Sequence, residues 1–137
     1  VAANAYTSYR TASATLRLSV RRGEAPTQAQ TRELAGVPKA ELVQMLAPVL
    51  AETRNALIGV DGVKSAKALD AQIAKNTSLN CVFFEFETET TDGTKLSQTY
   101  VCPLGTKSVK LSTSYRKSEA ALFRPVLQYV WSSLTAR

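Results

Sequence analysis

Histidine is absent from this chain of 137 residues. Its absence removes the commonest general base and one of the commonest metal ligands of proteins. The sequence also lacks the Gly-x-Ser-x-Gly turn of hydrolases, the Gly-Lys-Ser/Thr ending of a phosphate-binding loop and the glycine spacing of a dinucleotide fingerprint. We therefore predict a protein that is not an enzyme and that holds no cofactor and no metal.

Long apolar runs are missing as well, and none approaches the ~18–20 residues of a membrane-spanning helix. We expect a soluble protein without a membrane span, and its composition of 45% hydrophobic and 20% charged residues is ordinary for a globular domain. The length suits one domain, residues 1–137. The start Val1-Ala2-Ala3 resembles the small-residue surroundings of signal-peptide cleavage sites, which favours an exported protein, although a trimmed chain would begin the same way.

Cysteine is scarce: Cys81 and Cys102 are the two in the chain. Their spacing is not Cys-x-x-Cys, and two cysteines without histidine do not make a zinc site. They stand at the two ends of a predicted β-hairpin, where a disulfide would close a loop of about twenty residues and contribute on the order of 3 kcal/mol. The alternative is a pair of reduced, buried thiols. Their position across one hairpin favours the disulfide, and with it an oxidising, periplasmic or secreted location.

The hairpin itself is the strongest local signal in the sequence. Residues 82–89 alternate apolar and mostly acidic side chains, as a half-buried strand does, and Asp92-Gly93 supplies turn chemistry. A two-residue loop at Asp92-Gly93 would leave the cysteines as diagonal neighbours, about 7–8 Å apart. A four-residue loop from Thr90 to Gly93 makes the cysteines face each other and places Phe83 beside Tyr100. We favour the longer loop.

The N-terminal segment from Ala3 to Arg22 allows two interpretations. Every second residue from Ala14 to Val20 is apolar, as in a strand, but on a helical wheel the apolar residues of the whole segment gather on one side. The wheel favours a helix, which Gly23 would end. Arg10, Arg17 and Arg21 would then line one flank of its apolar stripe.

Three more helices are predicted before the hairpin. Thr27 and Gln30 form a capping-box pattern that opens a short helix, and Pro38 begins a longer one that runs to about Ile58 and bends at Pro48. Residues 64–75 have helical composition with a narrow apolar stripe. A hairpin over residues 57–64, around Asp61-Gly62, is the alternative for the connection between them.

After the hairpin, residues 109–115 alternate apolar and polar side chains, which predicts a third strand in an antiparallel meander. A last helix carries an apolar stripe that includes Phe123 and Trp131, with Pro125 either on its outer side or at its first turn. The predicted fold class is α+β: N-terminal helices, a three-stranded antiparallel meander over about residues 80–115, and a C-terminal helix packed on the sheet.

Two groups of charged residues are candidate binding surfaces. One is an acidic row on the hairpin, which we expect to dock on a cationic cleft of a partner protein; its members are Glu85, Glu87, Glu89 and Asp92. The other follows from the net charge of +6 and would bind an anionic partner. Its members are Arg10, Arg17, Arg21, Lys64, Lys67 and Lys75. No block of like charges and no interleaving of aromatic with basic residues occurs, so nucleic acid is the less favoured partner.

These patterns support three hypotheses for the function. The leading one is a non-enzymatic exported, periplasmic protein of a bacterium that binds another macromolecule, as an inhibitor, an immunity protein or a component of an envelope assembly does. An unpaired sheet edge would also allow a dimer. The alternatives are a basic protein that binds nucleic acid or an anionic surface, and a carrier for a small apolar ligand.

Overall fold

The computed structural model describes residues 4–10, 14–22 and 27–134, and for residues 4–10, 21 and 22 it describes the backbone alone. The strands are β1 (Asn4–Arg10), β2 (Ala14–Arg22), β3 (Val63–Lys75), β4 (Asn80–Thr90), β5 (Gly93–Leu104) and β6 (Lys107–Arg116). The helices are α1 (Gln28–Leu34), α2 (Lys39–Met45), α3 (Ala47–Ile58) and α4 (Ala120–Ser133), the last preceded by a 3-10 turn, Lys117–Glu119.

The strands form one antiparallel sheet of six in the order β1-β2-β6-β5-β4-β3. The chain is therefore α+β, but the predicted architecture of N-terminal helices and a three-stranded meander is wrong. The predicted meander is the β4-β5-β6 part of the sheet. The additional strands come from two segments that were predicted to be helical.

The described parts of the N-terminal segment, β1 and β2, are paired antiparallel strands and not a helix. Strand β2 pairs with β6 so that Leu18 lies opposite Leu111 and Val20 opposite Val109. Leu16, Leu18 and Val20 pack against the buried core beneath α4. The two-residue alternation therefore predicts the structure correctly and the helical wheel does not. Pairing with the distant strand β6 buries the apolar face of the alternating residues.

Residues 63–75, predicted as a helix, form the edge strand β3. Its register with β4 shifts between Val63 and Ser65 and again between Ala68 and Asp70. These irregularities interrupt the two-residue period, so the segment shows no clean alternation. Its buried residues are Ala66 and Ala71, five positions apart. The segment before β3 is the end of α3 followed by a turn, so residues 57–64 do not form the alternative hairpin.

The predicted long helix is two helices, α2 and α3, which meet at Leu46. Pro48 lies in the first turn of α3, where its missing N–H group leaves no hydrogen bond unmade. The capping box of α1 is present. The backbone N–H of Gln30 donates to the Thr27 hydroxyl at 3.1 Å, and the backbone N–H of Thr27 donates to Gln30 Oε1 at 2.9 Å.

The β4-β5 hairpin has the predicted register, with Phe83 opposite Tyr100. The predicted disulfide is present: Cys81 and Cys102 are joined, with a Cα–Cα distance of 4.4 Å. The loop is shorter than predicted, because Thr90 and Gly93 also pair and leave two residues between them. Gly93 has a φ of 114°, a conformation that side chains disfavour.

Both faces of the sheet are covered at the end that carries the disulfide. On one face, called here the α4 face, the buried core contains Cys81, Phe83, Tyr100, Cys102, Val109, Leu111, Leu127 and Trp131. On the other, called here the α2–α3 face, it contains Leu42, Leu46, Ala66, Ala71, Val82, Phe84 and Phe86. In the described part of the chain, no helix has both the length and the apolarity that a membrane crossing requires.

Candidate functional site

The main helical cover of the α2–α3 face lies on strands β3 and β4, and α1 also contacts β5. Helices α2 and α3 pack on β3, and α3 also on β4, where Phe84 and Phe86 are buried. On the next strands of the same face hydroxyl groups replace the aromatic rings. Most of these side chains are half-buried, and Thr99 is buried; the set is Thr15, Ser97, Thr99, Ser112 and Ser114.

The strand register explains why the hydroxyl groups gather. Ser114 lies between Ser97 of β5 and Thr15 of β2, and in the neighbouring row Ser112 lies between Thr99 and Arg17. Side chains directly opposite each other on one face of a sheet are about 5 Å apart. Serines two positions apart on β6 therefore become the centre of a two-dimensional array of hydroxyl groups.

Two adjoining cavities, of about 290 and 90 Å³, lie over this array and share Thr15, Arg17, Ser97 and Ser114. The larger one extends to the turn at residues 60–63 and to the tip of the β4-β5 hairpin. We call the combined depression the hydroxyl groove. Its lining residues on β2, β5 and β6 include Thr15, Arg17, Lys95, Ser97, Ser112 and Ser114.

The groove belongs to a strongly basic region. Strands β1, β2, β5 and β6 contain no aspartate or glutamate. Their charged residues are Arg10, Arg17, Arg21, Arg22, Lys95, Lys107, Lys110 and Arg116. Because side chains alternate along a strand, Lys110 and Arg116 share the face of Ser112 and Ser114, and both are exposed. The acidic residues of the groove, Asp61 and Asp92, lie at its hairpin end.

The structure separates the predicted basic residues. Arg10, Arg17 and Arg21 belong to β1 and β2, whereas Lys64, Lys67 and Lys75 belong to β3. Three strands lie between β2 and β3, which puts those two strands about 19 Å apart across the sheet, and β1 lies one strand further out. Arg17 lines the groove. The side chains of Arg10 and Arg21 lie outside the described residues.

The predicted acidic row lies on the α4 face, opposite Gln98, Leu96 and Thr94 as the register predicted. Glu85 accepts a hydrogen bond from the Gln98 amide and lies 3.6 Å from Arg124. Glu89 accepts a hydrogen bond from the Thr94 hydroxyl at 2.9 Å. These glutamates therefore have partners inside the molecule. Asp92 lies apart from the row at the hairpin tip, where its amide donates to the Thr90 hydroxyl.

Glu87, the central residue of the row, pairs with Lys117 at 2.5 Å. The hydrogen bond from Lys117 holds the pKa of Glu87 below its ordinary value, and the positive charges of Lys117 and Lys67 act in the same direction. Lys117 and Arg124 follow strand β6 in the chain. The predicted pairing of the hairpin strands could not reveal these two partners of the glutamates. Lys117 and Arg124 reach the glutamates because the chain after β6 packs back onto the sheet.

The sheet has two edges, β1 and β3. Strand β3 carries the two register shifts and the exposed Lys64, Lys67 and Lys75. Irregular edges with lysines oppose pairing with another strand. In the described ranges no three residues among histidine, cysteine, aspartate and glutamate come together as a group that could hold a metal ion.

Sequence reasoning missed most residues of the hydroxyl groove. The signals for it were the serine-rich outer positions of residues 108–114 and the absence of acidic residues from four of the strands. Neither signal identifies a groove if residues 3–22 are predicted as a helix, because Thr15 and Arg17 reach the site through the pairing of β2 with β6.

Comparison with known proteins relates this chain to others through its fold. No protein-family model and no curated protein sequence matches it. Among solved structures it is similar to PA94, a Pseudomonas aeruginosa protein of unknown function described as a candidate regulator. The TM-score is 0.58 at 10% identity, over 98% of this chain and 83% of that one. It is also similar to cyanobacterial PsbP (CyanoP) from Synechocystis sp. PCC 6803, with a TM-score of 0.57 at 10% identity, over 96% of this chain and 80% of that one.

Proposed function

We propose that this chain is a non-enzymatic exported protein that holds an acidic segment of another protein in the hydroxyl groove. One observation carries the proposal: the sheet face beyond β4, past the main packing of α2 and α3, is lined by hydroxyl groups and belongs to strands whose charged residues are all basic. The disulfide supports an oxidising compartment, since structural disulfides persist there.

The chemistry of the groove suits carboxylates on an extended chain. Serine and threonine hydroxyls donate hydrogen bonds to carboxylate oxygens, and the Arg17 guanidinium can donate two parallel ones. Lys95, Lys110 and Arg116 add positive charge around the array. An acidic segment laid across β5, β6 and β2 would meet a row of donors about every 5 Å. The partner is then an enzyme that the chain inhibits or a component of an envelope assembly.

A protein partner is favoured over nucleic acid by the side chains of this face. Binding of single-stranded nucleic acid relies on aromatic rings on which the bases stack. Among the described side chains of β2, β5 and β6 on the α2–α3 face, none is aromatic. An oxidising compartment also favours a protein partner.

The test is a titration of fluorescently labelled poly-L-glutamate with the purified, oxidised protein, followed by fluorescence anisotropy. The double variant Arg17→Glu/Lys95→Glu reverses two charges in the groove and should weaken binding by about tenfold or more. The matched control is Lys64→Glu/Lys75→Glu, which changes the net charge equally on strand β3. Binding by the native protein should decrease as salt is added, because exposed charge pairs are screened.

Equal losses in the two double variants would show attraction by net charge alone and would overturn the proposal. Tighter binding of a DNA oligonucleotide than of poly-L-glutamate at equal salt would replace it with the nucleic-acid hypothesis. Circular dichroism spectra that match the native spectrum would show that each variant is folded.

A further inference from the structure

A second cleft, of about 190 Å³, lies on the opposite face of the sheet, between strands β3 to β5 and helix α4. Its polar lining comes from Asp70, Gln72, Glu85, Gln98, Arg124 and Gln128. The hydroxyl groove does not use these residues, because successive side chains of a strand point to opposite faces. The proposed function leaves this cleft without a role.

A chain of hydrogen bonds fixes the carboxylate at the bottom of the cleft. The Tyr115 hydroxyl donates to Gln98 Oε1 at 3.1 Å, which orients the Gln98 amide so that its NH₂ group donates to Glu85 Oε2. The Glu85 side chain is 13% exposed. Its other oxygen, Oε1, has no hydrogen-bond partner among the described residues and remains able to accept a bond from a ligand.

The cation of the cleft, Arg124, interacts with Glu85 and with the Tyr115 hydroxyl. The Arg124 guanidinium lies 3.6 Å from Glu85 Oε2, beyond the 2.7–2.9 Å typical of a charge-assisted hydrogen bond. The group has five N–H donors, and its side chain, which lines the cleft, is 52% exposed. The second carboxylate is different, because Asp70 is held by Lys39 at 2.7 Å.

The remaining polar groups of the cleft are amides. The side chains of Gln72 and Gln128 line it and have no hydrogen bonds to other described residues. Phe83 and Leu127 supply the apolar part of the wall. A small ligand with charges of both signs would find an acceptor, a donor and amides around one cleft.

We propose that this cleft binds a small zwitterionic amino acid, whose ammonium group bonds Glu85 Oε1 and whose carboxylate bonds the Arg124 guanidinium. The volume supports this class of ligand, since 190 Å³ equals the share of about six liquid waters. A bidentate arginine–carboxylate contact is a strong and directional one. An amide side chain on the ligand would pair with Gln72 and Gln128, which favours glutamine among the amino acids.

The experiment is an NMR titration of the isotopically labelled, oxidised protein with L-glutamine at up to millimolar concentration. Two analogues each lack one charge: L-glutamine methyl ester has no carboxylate, and N-acetyl-L-glutamine has no ammonium group. We expect saturable shifts of amides around Glu85 and Arg124 with L-glutamine, and binding about 10- to 100-fold weaker with each analogue.

Substitutions test the two contacts separately. Glu85→Gln and Arg124→Gln should each weaken L-glutamine binding by about 10- to 100-fold. Lys117→Gln is the matched control, because it breaks a glutamate pair with Glu87, outside the residues that line the cleft. If Glu85→Gln does not fold, Arg124→Gln still decides the question, because that residue is half exposed at the surface.

Three results would overturn the proposal: no saturable shift with L-glutamine, equal binding of either analogue, or unchanged binding in the Arg124 variant. None of them affects poly-L-glutamate binding at the hydroxyl groove, so the two proposals fail independently.

Discussion

Tyr100 of β5 and Trp131 of α4 stack with their ring centroids 4.3 Å apart and 13° between the ring planes. The ring of Phe83 is tilted against that of Tyr100, with the two ring centroids 4.8 Å apart. Both stacked residues are at most 5% exposed. This contact joins the centre of the sheet to the last helix, and it lies beside the disulfide in the same core.

We expect Trp131→Ala to lower the free energy of unfolding by about 3–5 kcal/mol, because it removes a buried ring and leaves a cavity that the sheet cannot collapse into. Urea denaturation measures the change. The matched control is Tyr129→Ala on the same helix, where the side chain is 76% exposed and the expected change is within about 0.5 kcal/mol. Similar losses in both variants would contradict the assignment of Trp131 to the core.

The double variant Cys81→Ala/Cys102→Ala should be less stable by about 3 kcal/mol, since the disulfide closes a loop with a sequence separation of 21 residues. Both cysteines are fully buried, so the sulfur atoms also contribute to packing. Urea denaturation of the native protein with and without reductant measures the stability that the disulfide contributes. Reductant should not change the double variant, and an unchanged midpoint of the native protein would show that the bond contributes nothing.

Asn76→Asp should lower the free energy of unfolding by about 2–3 kcal/mol. The side-chain amide of Asn76 donates to two carbonyl oxygens at the end of α4, that of Trp131 at 2.9 Å and that of Leu134 at 2.8 Å. Aspartate has nearly the same shape, but it cannot donate these bonds when ionised and adds a negative charge at the negative end of the helix. Thermal unfolding compares it with Thr77→Ala, an exposed neighbour. If the two variants melt together, the amide does not hold the helix.

The stability of the protein should fall with rising pH once the unfolded tyrosines begin to ionise at about pH 10. Burial raises the pKa of Tyr100 above its ordinary value, and the charge of Glu85 acts in the same direction. The unfolded chain therefore loses this proton first, and the stability decreases until the pH passes the folded pKa. Urea midpoints across this range measure the decline. It should be shallower in Tyr100→Phe, and equal slopes would contradict the prediction.

Local chemistry made the β4-β5 hairpin predictable. A glycine at the turn, alternating side chains and two cysteines that can face each other define one register, and all of these signals lie within 24 consecutive residues. The capping box at Thr27 and Gln30 was predictable for the same reason, since both of its hydrogen bonds join residues three apart. Interactions of this range do not depend on the rest of the fold.

The two segments predicted wrongly depend on distant partners. The sequence of residues 3–22 carries both a helical stripe and a strand alternation, and the pairing of β2 with β6, nearly a hundred residues away in the chain, favours the strand for residues 14–22. In β3 the register shifts interrupt the two-residue alternation of apolar and polar side chains, so the sequence does not show a strand pattern. The strand is stabilised by the burial of Ala66 and Ala71 under α2 and α3. The intrinsic preference of these residues for helix or strand contributes less free energy than the burial of their apolar side chains.

The sequence by itself determined the disulfide and the register of its hairpin, because contacts between near neighbours in the chain are sufficient for them. The tertiary structure alone decided which charges meet. It brought Lys117 and Arg124 to the glutamates of β4, and it aligned Thr15, Ser97 and Ser114 from three separate strands into one groove. The physical reason is that an antiparallel sheet places residues side by side according to strand order and register, and the long-range burial of apolar faces sets both.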